Sequence, residues 1–303
     1  MPKFFFDSWK ILFGLIVCNF TYTTITMTIT PKDTHNLDTT KKKSQHTPKS
    51  IGFIIPSYVA TQEHYNILKE GVQKIRQFHN WPIIIINDHS PWNINDLTCI
   101  PNIKIELSLK KGGGEMNPYL HYYLNHYFDI AIIIHDSMHL NCKLKNINEI
   151  DTVKFLRHFT IHRMLWEKIE EPITEYNKTN NIKNHDDLIN HLVDITAKNA
   201  NPKFHNFFAT IYPQKNVWVG CWGVQSIITW QFLDKLHKKT NFLDFVDVIK
   251  NRRDRMAMES IFALACLYIT DIDTLVDSYD GLYSSVKGKK LKSKYTTKIP
   301  MGR

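Results

Sequence analysis

Ile83-Ile84-Ile85-Ile86-Asn87-Asp88-His89-Ser90 decides the fold. Four consecutive isoleucines offer no polar face. The strand they form must be covered on both sides, as in a parallel sheet flanked by helices. Upstream, Trp81-Pro82 breaks a helix carrying Tyr65, Leu68, Val72 and Ile75 at helical spacing. Before that helix, Ile51 to Ile55 reads as another buried strand, ended by Pro56-Ser57. Downstream, Ile103 to Leu107 is a weaker strand. A glycine loop, Lys110 to Pro118, then opens a helix with Asn117 as N-cap and Pro118 at the first helical position. Tyr119, Leu120, Tyr123, Leu124, Tyr127 and Phe128 give that helix one apolar face, and Ile130 to Ile134 is a fourth strand running into His135-Asp136-Ser137-Met138. Strand, helix, strand, strand, helix, strand is a doubly wound α/β pattern with a mostly parallel sheet. Ligands of such sheets sit beyond the carboxyl ends of the strands. Those ends carry Ser57, Asp88 and Asp136.

The middle of the chain, 150–200, reads as helical. Phe155, Phe159, His162, Trp166 and Ile169 share one face, and Leu188, Leu192 and Ile195 share another. Val217 to Val219 reads as a short strand, followed by a helix from about Ser226 to His237 and a last strong helix from about Asp254 to Ile269. The working domain is therefore 51–286, with helical insertions. Residues 1–30 hold a ten-residue apolar run, Ile11 to Phe20, behind Lys3 and Lys10. It reads as an anchor giving membrane contact, an interfacial segment, a signal core without a clean cleavage site, or disorder. Residues 31–50 are a polar linker, and 287–303, with six lysines, one arginine and no acid, reads as a solvated basic tail.

The chain has 303 residues, 43% of them hydrophobic, enough for a sizeable core, and no apolar run that fits a polytopic membrane protein. Its net charge is +9, from 31 Lys against 7 Arg. Arginine is what phosphate and base recognition enriches, so no nucleic acid is expected as a partner. A basic nucleic-acid-binding protein, using the tail with Arg252, Arg253 and Arg255, stays open as a rival. Five widely spaced cysteines without a CxxC indicate neither a zinc site nor a disulfide framework, which suits a reduced, cytoplasmic compartment.

Four groups carry candidate chemistry. Asp88 and Asp136 can accept a base N–H, bind a ribose hydroxyl or hold a divalent cation (Mn²⁺ or Mg²⁺) through phosphate oxygens, and each also suits a strand-ending turn. Lys111, Gly112 and Gly113 lie in a loop whose free backbone N–H groups would face an anion, or which is a flexible turn. Glu259 sits among apolar residues just after three arginines. It is either a desolvated general base or the i,i+4 partner of Arg255. Trp218 and Trp222 form a platform for sugar rings, or they pack a strand-to-helix corner, a reading that fits Trp222 better than Trp218. His135 and His139 are four apart, a spacing with meaning only on a helix.

The order of Ile51–Ser57, Ile83–Ser90, Gly112–Asn117 and Ile130–Met138 resembles the nucleotide-sugar half of GT-A glycosyltransferases, above all family 2. The resemblance covers roughly 51–140. It implies a GT-A-like, Rossmann-related fold and transfer of a sugar, of hexosyltransferase type, from a nucleotide-sugar donor to a hydroxyl of a glycan or protein acceptor. The cofactor-binding set would be Pro56, Ser57, Asp88, Lys111, Gly112, Gly113 and Asp136. Asp88 takes the place of the base-binding Asp. Asp136 matches the first Asp of the metal motif, and Met138 stands where the second would be. Glu259 falls where family members place a catalytic acid residue, and Trp218 and Trp222 would line the acceptor side. The Lys-, Ile- and Asn-rich composition is also similar to that of glycosyltransferase-like proteins of giant DNA viruses, which would place a viral chain in host cytoplasm. A non-catalytic GT-A-like nucleotide- or glycan-binding module is the other alternative.

Overall fold

The computed structural model describes residues 48–160, 185–214, 218–271, 274–275 and 295–301. Its centre is a six-stranded sheet of order β3-β2-β1-β4-β9-β6. The strands are β1 (Ile51–Ser57), β2 (Ile83–Asn87), β3 (Ile103–Leu107), β4 (Ile130–Ile133), β6 (Val153–Phe155) and β9 (Ser226–Thr229). β1 is parallel to both β2 and β4, and β2 to β3, whereas β9 runs antiparallel to β4 and β6. The protein is thus a doubly wound, Rossmann-related α/β structure with a mostly parallel sheet.

The isoleucine runs explain the layering. Alternate strand residues face opposite sides. Ile54, Ile84, Ile86 and Ile133 point to one core, with Tyr119 and Tyr122 of α2 (Asn117–Asn125) and Phe262 of α6 (Arg252–Leu267). Phe53, Ile55, Ile83, Ile85 and Ile132 point to the other, with Tyr65, Leu68, Val72 and Ile75 of α1 (Gln62–Phe78). Thr61 caps α1 by accepting the His64 N–H at 3.2 Å. Arg76, in its last turn, donates to the carbonyls of Trp81 (2.7 Å), Pro101 (3.0 Å) and Asn102 (3.0 Å), which fixes the run into β2. Pro56 is tolerated inside β1 for a topological reason. Phe53 N–H and Ser57 C=O both serve the β2 side, so the Pro56 nitrogen faces β4, whose ladder with β1 ends at the Ile54–Ile133 pair.

Several sequence expectations are corrected. Phe155 and Phe159 do not share a helix; they lie on β6 and on β7 (His158–Thr160), which pairs antiparallel with β8 (Val219–Cys221), while His162, Trp166 and Ile169 fall outside the described residues. Leu188, Leu192 and Ile195 do lie on a helix, α3 (His185–Asn199), which is followed by α4 (Pro202–Ile211). The segment from Ser226 begins as β9 and becomes helical only at α5 (Trp230–Thr240), where the Thr229 hydroxyl caps the start. Asn117 is not an N-cap. It has helical dihedrals, and its amide clamps the backbone of Lys110. The basic tail is not wholly solvated. β10 (Thr296–Lys298) pairs antiparallel with β5 (Met138–Leu140), and Thr296 is buried. Residues 1–47, including the apolar run, lie outside the described part, and no helix within it is long and apolar enough to cross a membrane. Cys99, Cys221 and Cys266 are free thiols, the last two buried.

Candidate functional site

The sheet order places the site. From β1 the chain winds out through β2 to β3, then returns to the other side of β1 as β4. The crevice opens where those two windings part, beyond the carboxyl ends of β1 and β4. Asp136 spans it. This carboxylate is 6% exposed, and its Oδ2 accepts the Tyr58 N–H at 3.4 Å. The Ser57 hydroxyl, at the end of β1, is buried and finds no partner among the described residues.

Asp88 holds the next wall. Its carboxylate accepts the Ser108 hydroxyl at 2.8 Å and the Gly112 N–H at 2.9 and 3.1 Å. Ser90 ties the β2 exit to the β1 exit, its N–H donating to Asn87 Oδ1 at 2.9 Å and its Oγ accepting the Val59 N–H at 2.8 Å. The glycine loop differs from its expected use. Gly112 N–H goes to Asp88 and Gly113 N–H to the Lys110 carbonyl at 3.0 Å, so these groups are spent inside the protein rather than kept for an anion. Gly112 has φ +78° with open space where a side chain would begin, and it lines the cleft. Gly113 has an ordinary φ of −68° and packs on Asn117. Gly114 has φ +48°, and a Cβ there would lie 2.4 Å from Arg255 Cδ.

The resulting cleft holds about 680 Å³. Tyr58, Glu63, His64, Asp88, Lys111, Gly112, Lys250 and Arg255 are on its walls. Three of these are cations. His64 is buried, and its Nδ1 has no partner among the described residues. The Lys110 ammonium turns away to Asp247 at 2.7 Å.

A second group of charges adjoins Asp136. Glu259 accepts the Gly223 N–H at 2.7 Å rather than serving as the anchor of its own helix. Burial, reinforced by Glu115, pushes its carboxyl up to about 8 against the opposing Gly223 N–H and Lys298 ammonium. Glu115 is also raised, chiefly by burial, with Arg255 and Lys298 opposing and Asp136 adding to the shift. Its Oε2 is buried without a hydrogen-bond partner among the described residues, and its Oε1 is 4.0 Å from His135 Nε2. That nitrogen lies 2.7 Å from the Gly223 carbonyl, which can only accept, so His135 carries its proton on Nε2. Gly223, at φ +63°, thus joins His135 and Glu259, and a Cβ there would lie 2.7 Å from the imidazole.

The two tryptophans exchange expected roles. Trp218 is 2% exposed, donates its indole N–H to the Tyr212 carbonyl at 3.2 Å and packs on that ring, so it belongs to the core. Trp222 is half-buried beside the site, with the Arg157 guanidinium 5.3 Å and the Lys298 ammonium 5.5 Å from its ring centre. His139 is separate from His135 and bonds the Ile67 carbonyl inside the fold.

Asp136 does not gain a metal-ligand set. Met138 is 1% exposed in the core under α1, and no group of three or more His, Cys, Asp or Glu converges among the described residues. The charged neighbour of Asp136–Ser137 is instead Lys298, whose Nζ donates to Ser137 Oγ at 2.6 Å. These residues do not fit a divalent cation held by protein ligands.

Sequence reasoning missed Glu115, His64 and Lys298, and set His135 aside as half of a spacing with meaning only on a helix. Glu115 was visible inside the glycine loop, as an acid with no turn to make. Lys298 gave no signal among six tail lysines.

The fold and cleft define a doubly wound α/β protein with a cleft beyond the β1 and β2 exits, where Lys111, Lys250 and Arg255 stand with Glu63 and Asp88. No protein-family model and no curated protein matches the chain. Among solved structures it is similar to the S. cerevisiae mannosyltransferase Ktr4p in complex with GDP, at 10% identity over 75% of this chain and 68% of that one, TM-score 0.41. It is also similar to S. aureus TarS 1–349 in complex with UDP, at 12% identity over 31% of this chain and 29% of that one, TM-score 0.27. A third is the bifunctional glycosyltransferase WbbM, at 9% identity over 71% of this chain and 38% of that one, TM-score 0.35. The chain thus spans less than a third of the TarS 1–349 structure.

Proposed function

We propose that this chain is a GT-A-like glycosyltransferase that moves a hexosyl group from a nucleotide-sugar donor to an acceptor hydroxyl. One observation carries the reading: a cleft of about 680 Å³ beyond the β1 and β2 exits, with three cations on its walls, lies one helical turn from a carboxyl pushed up to about 8. The volume suits a nucleoside diphosphate. Lys111, Lys250 and Arg255 would meet its phosphates, and His64 with the Asp88 wall would meet its nucleoside end. Glu259, ionised, would take the acceptor proton, and the half-buried face of Trp222 would border the acceptor. Asp136, bridging to Tyr58, would orient the donor's ribose or sugar hydroxyls.

A thermal-shift series with nucleoside diphosphates and their sugars tests this. A ligand at about 100 times its Kd adds about 2.7 kcal/mol of stability by mass action. One base class should raise the Tm and the others should not. A flat response across all bases would remove the cleft from nucleotide chemistry. Slow release of free sugar from the bound donor would distinguish the enzyme from a binding module of the same fold.

A further inference from the structure

We propose that transfer in this chain proceeds without a divalent cation, and that the Lys298 ammonium of the C-terminal strand takes the place of that cation beside the leaving diphosphate. The inference rests on the nucleotide-sugar reading above and concerns how the same site handles charge.

The placement of Lys298 is built. β10 lies against β5 with Lys298 opposite Met138, the position where a second metal-binding acid would stand. Ile299 N–H donates to the Ser137 carbonyl at 2.9 Å, and Asn141 N–H to the Tyr295 carbonyl at 2.8 Å. Arg157, itself buried, grips Thr296 through Nε to Oγ1 at 3.2 Å and Nη2 to the carbonyl at 3.1 Å. The strand is therefore fastened on both sides of Lys298. The ammonium reaches Ser137 Oγ at 2.6 Å, one residue from Asp136, and lies over Trp222. It is near enough to favour the ionised forms of Glu115 and Glu259. A fixed cation thus stands one residue from Asp136, where no set of three acidic or histidine ligands assembles among the described residues.

The chemistry requires a positive charge there. The acceptor oxygen bonds the anomeric carbon while the bond from that carbon to the phosphate oxygen breaks. The electron pair stays on the phosphate, so the departing diphosphate gains one negative charge. The acceptor proton passes to the Glu259 carboxylate. An ammonium has three N–H donors and forms charge-assisted bonds to phosphate oxygens. Held in a partly dry site, it offsets the developing charge as a metal ion would. Arg255, which lines the cleft, adds a second cation.

The test uses the full chain and isothermal titration with UDP, GDP, CDP, ADP and TDP, each in EDTA and in Mn²⁺. The nucleotide that binds should do so equally, within about twofold, in both media. Lys298→Ala should weaken it in EDTA by about tenfold or more, and Lys298→Arg should restore most of the loss, as expected for a charge-assisted contact. Lys298→Met, which keeps the aliphatic stem over Trp222, guards against a folding defect and should weaken binding alike. Binding that appears only with Mn²⁺ overturns the inference and leaves the nucleotide reading intact. Binding in EDTA that neither Lys298→Ala nor Lys298→Met alters removes Lys298 from the site. Absence of binding for all five nucleotides in both media overturns the nucleotide reading and this inference together.

Discussion

Glu259→Gln isolates the most perturbed carboxyl of the site. The amide keeps an oxygen that can accept the Gly223 N–H, now at 2.7 Å, and keeps the size of the side chain. What it removes is titration. The Glu259 carboxyl is raised from its ordinary value of 4.5 to about 8, first by burial and then by Glu115. Between those values the folded chain holds a proton that the unfolded chain has lost. Stability due to this group is therefore full below pH 4.5, declines as pH rises, and levels off above about 8. The slope has a ceiling of about 1.4 kcal/mol per pH unit, or about 3–5 °C in Tm for a domain of this size. Glu259→Gln has no such loss, so the variant should gain on the parent steadily from pH 5 to pH 8 and then run parallel to it. Paired urea melts across that range measure the difference without any substrate. With a donor and acceptor in hand, the parent kcat/KM should rise tenfold per pH unit up to about pH 8, and the variant should lose about 10²–10⁴ in turnover with nucleotide affinity nearly unchanged. A stability difference that is the same at every pH would show that Glu259 is not desolvated, and the base assignment would go with it.

Gly112→Ala should lower stability by about 1–2 kcal/mol because of its φ of +78°, with open space around it, and should weaken nucleoside diphosphate binding as the Asp88-held loop relaxes; unchanged affinity by titration calorimetry would detach the loop from the ligand. Trp218→Ala should cost about 3–5 kcal/mol in a denaturant melt and leave nucleotide affinity alone, since the ring is core. Trp222→Ala should cost less stability than Trp218→Ala, because its ring is only half-buried, and should alter acceptor use. Equal effects of the two substitutions on both readouts would erase the distinction drawn between them.

The parallel half of the sheet was legible because isoleucine repeats admit one arrangement. Ile83–Ile86 can be buried on both faces only between helical layers, and β1, β2, β3 and β4 followed from that rule. The antiparallel half was not. Phe155 and Phe159 stand at helical spacing, yet each belongs to a three-residue strand, and two short strands across a bend mimic a helical turn in any apolar count. Ser226–Thr229 was absorbed into the following helix although Thr229, a capping residue, marked the boundary. In the site, Asp88, Asp136 and Glu259 were visible because acids beside apolar runs stand out. Their partners were not, because Gly223 and Lys298 reach them only through turns and a late strand pairing.

The departure at Met138 shows how packing constrains chemistry here, and Met138→Asp puts that to the test. The turn closed by the Met138 N–H to the His135 carbonyl, at 3.0 Å, reverses the chain directly after Asp136. Asp136 is left at the crevice, and Met138 is carried into the core with Leu68 and Val72 of α1. An acid at 138 would therefore enter apolar surroundings rather than complete a metal pair. Lys298 is the nearby cation, opposite on β10, and recruiting it would pull it from Ser137 and Trp222. Either way the substitution should cost about 3 kcal/mol or more, the range for an ill-paired buried charge. It should create no Mn²⁺-dependent rise in Tm. A variant that keeps the parent's stability and gains several degrees on adding Mn²⁺ would show that position 138 can face the crevice. The claim that the fold itself keeps an acid out of that position would then be wrong.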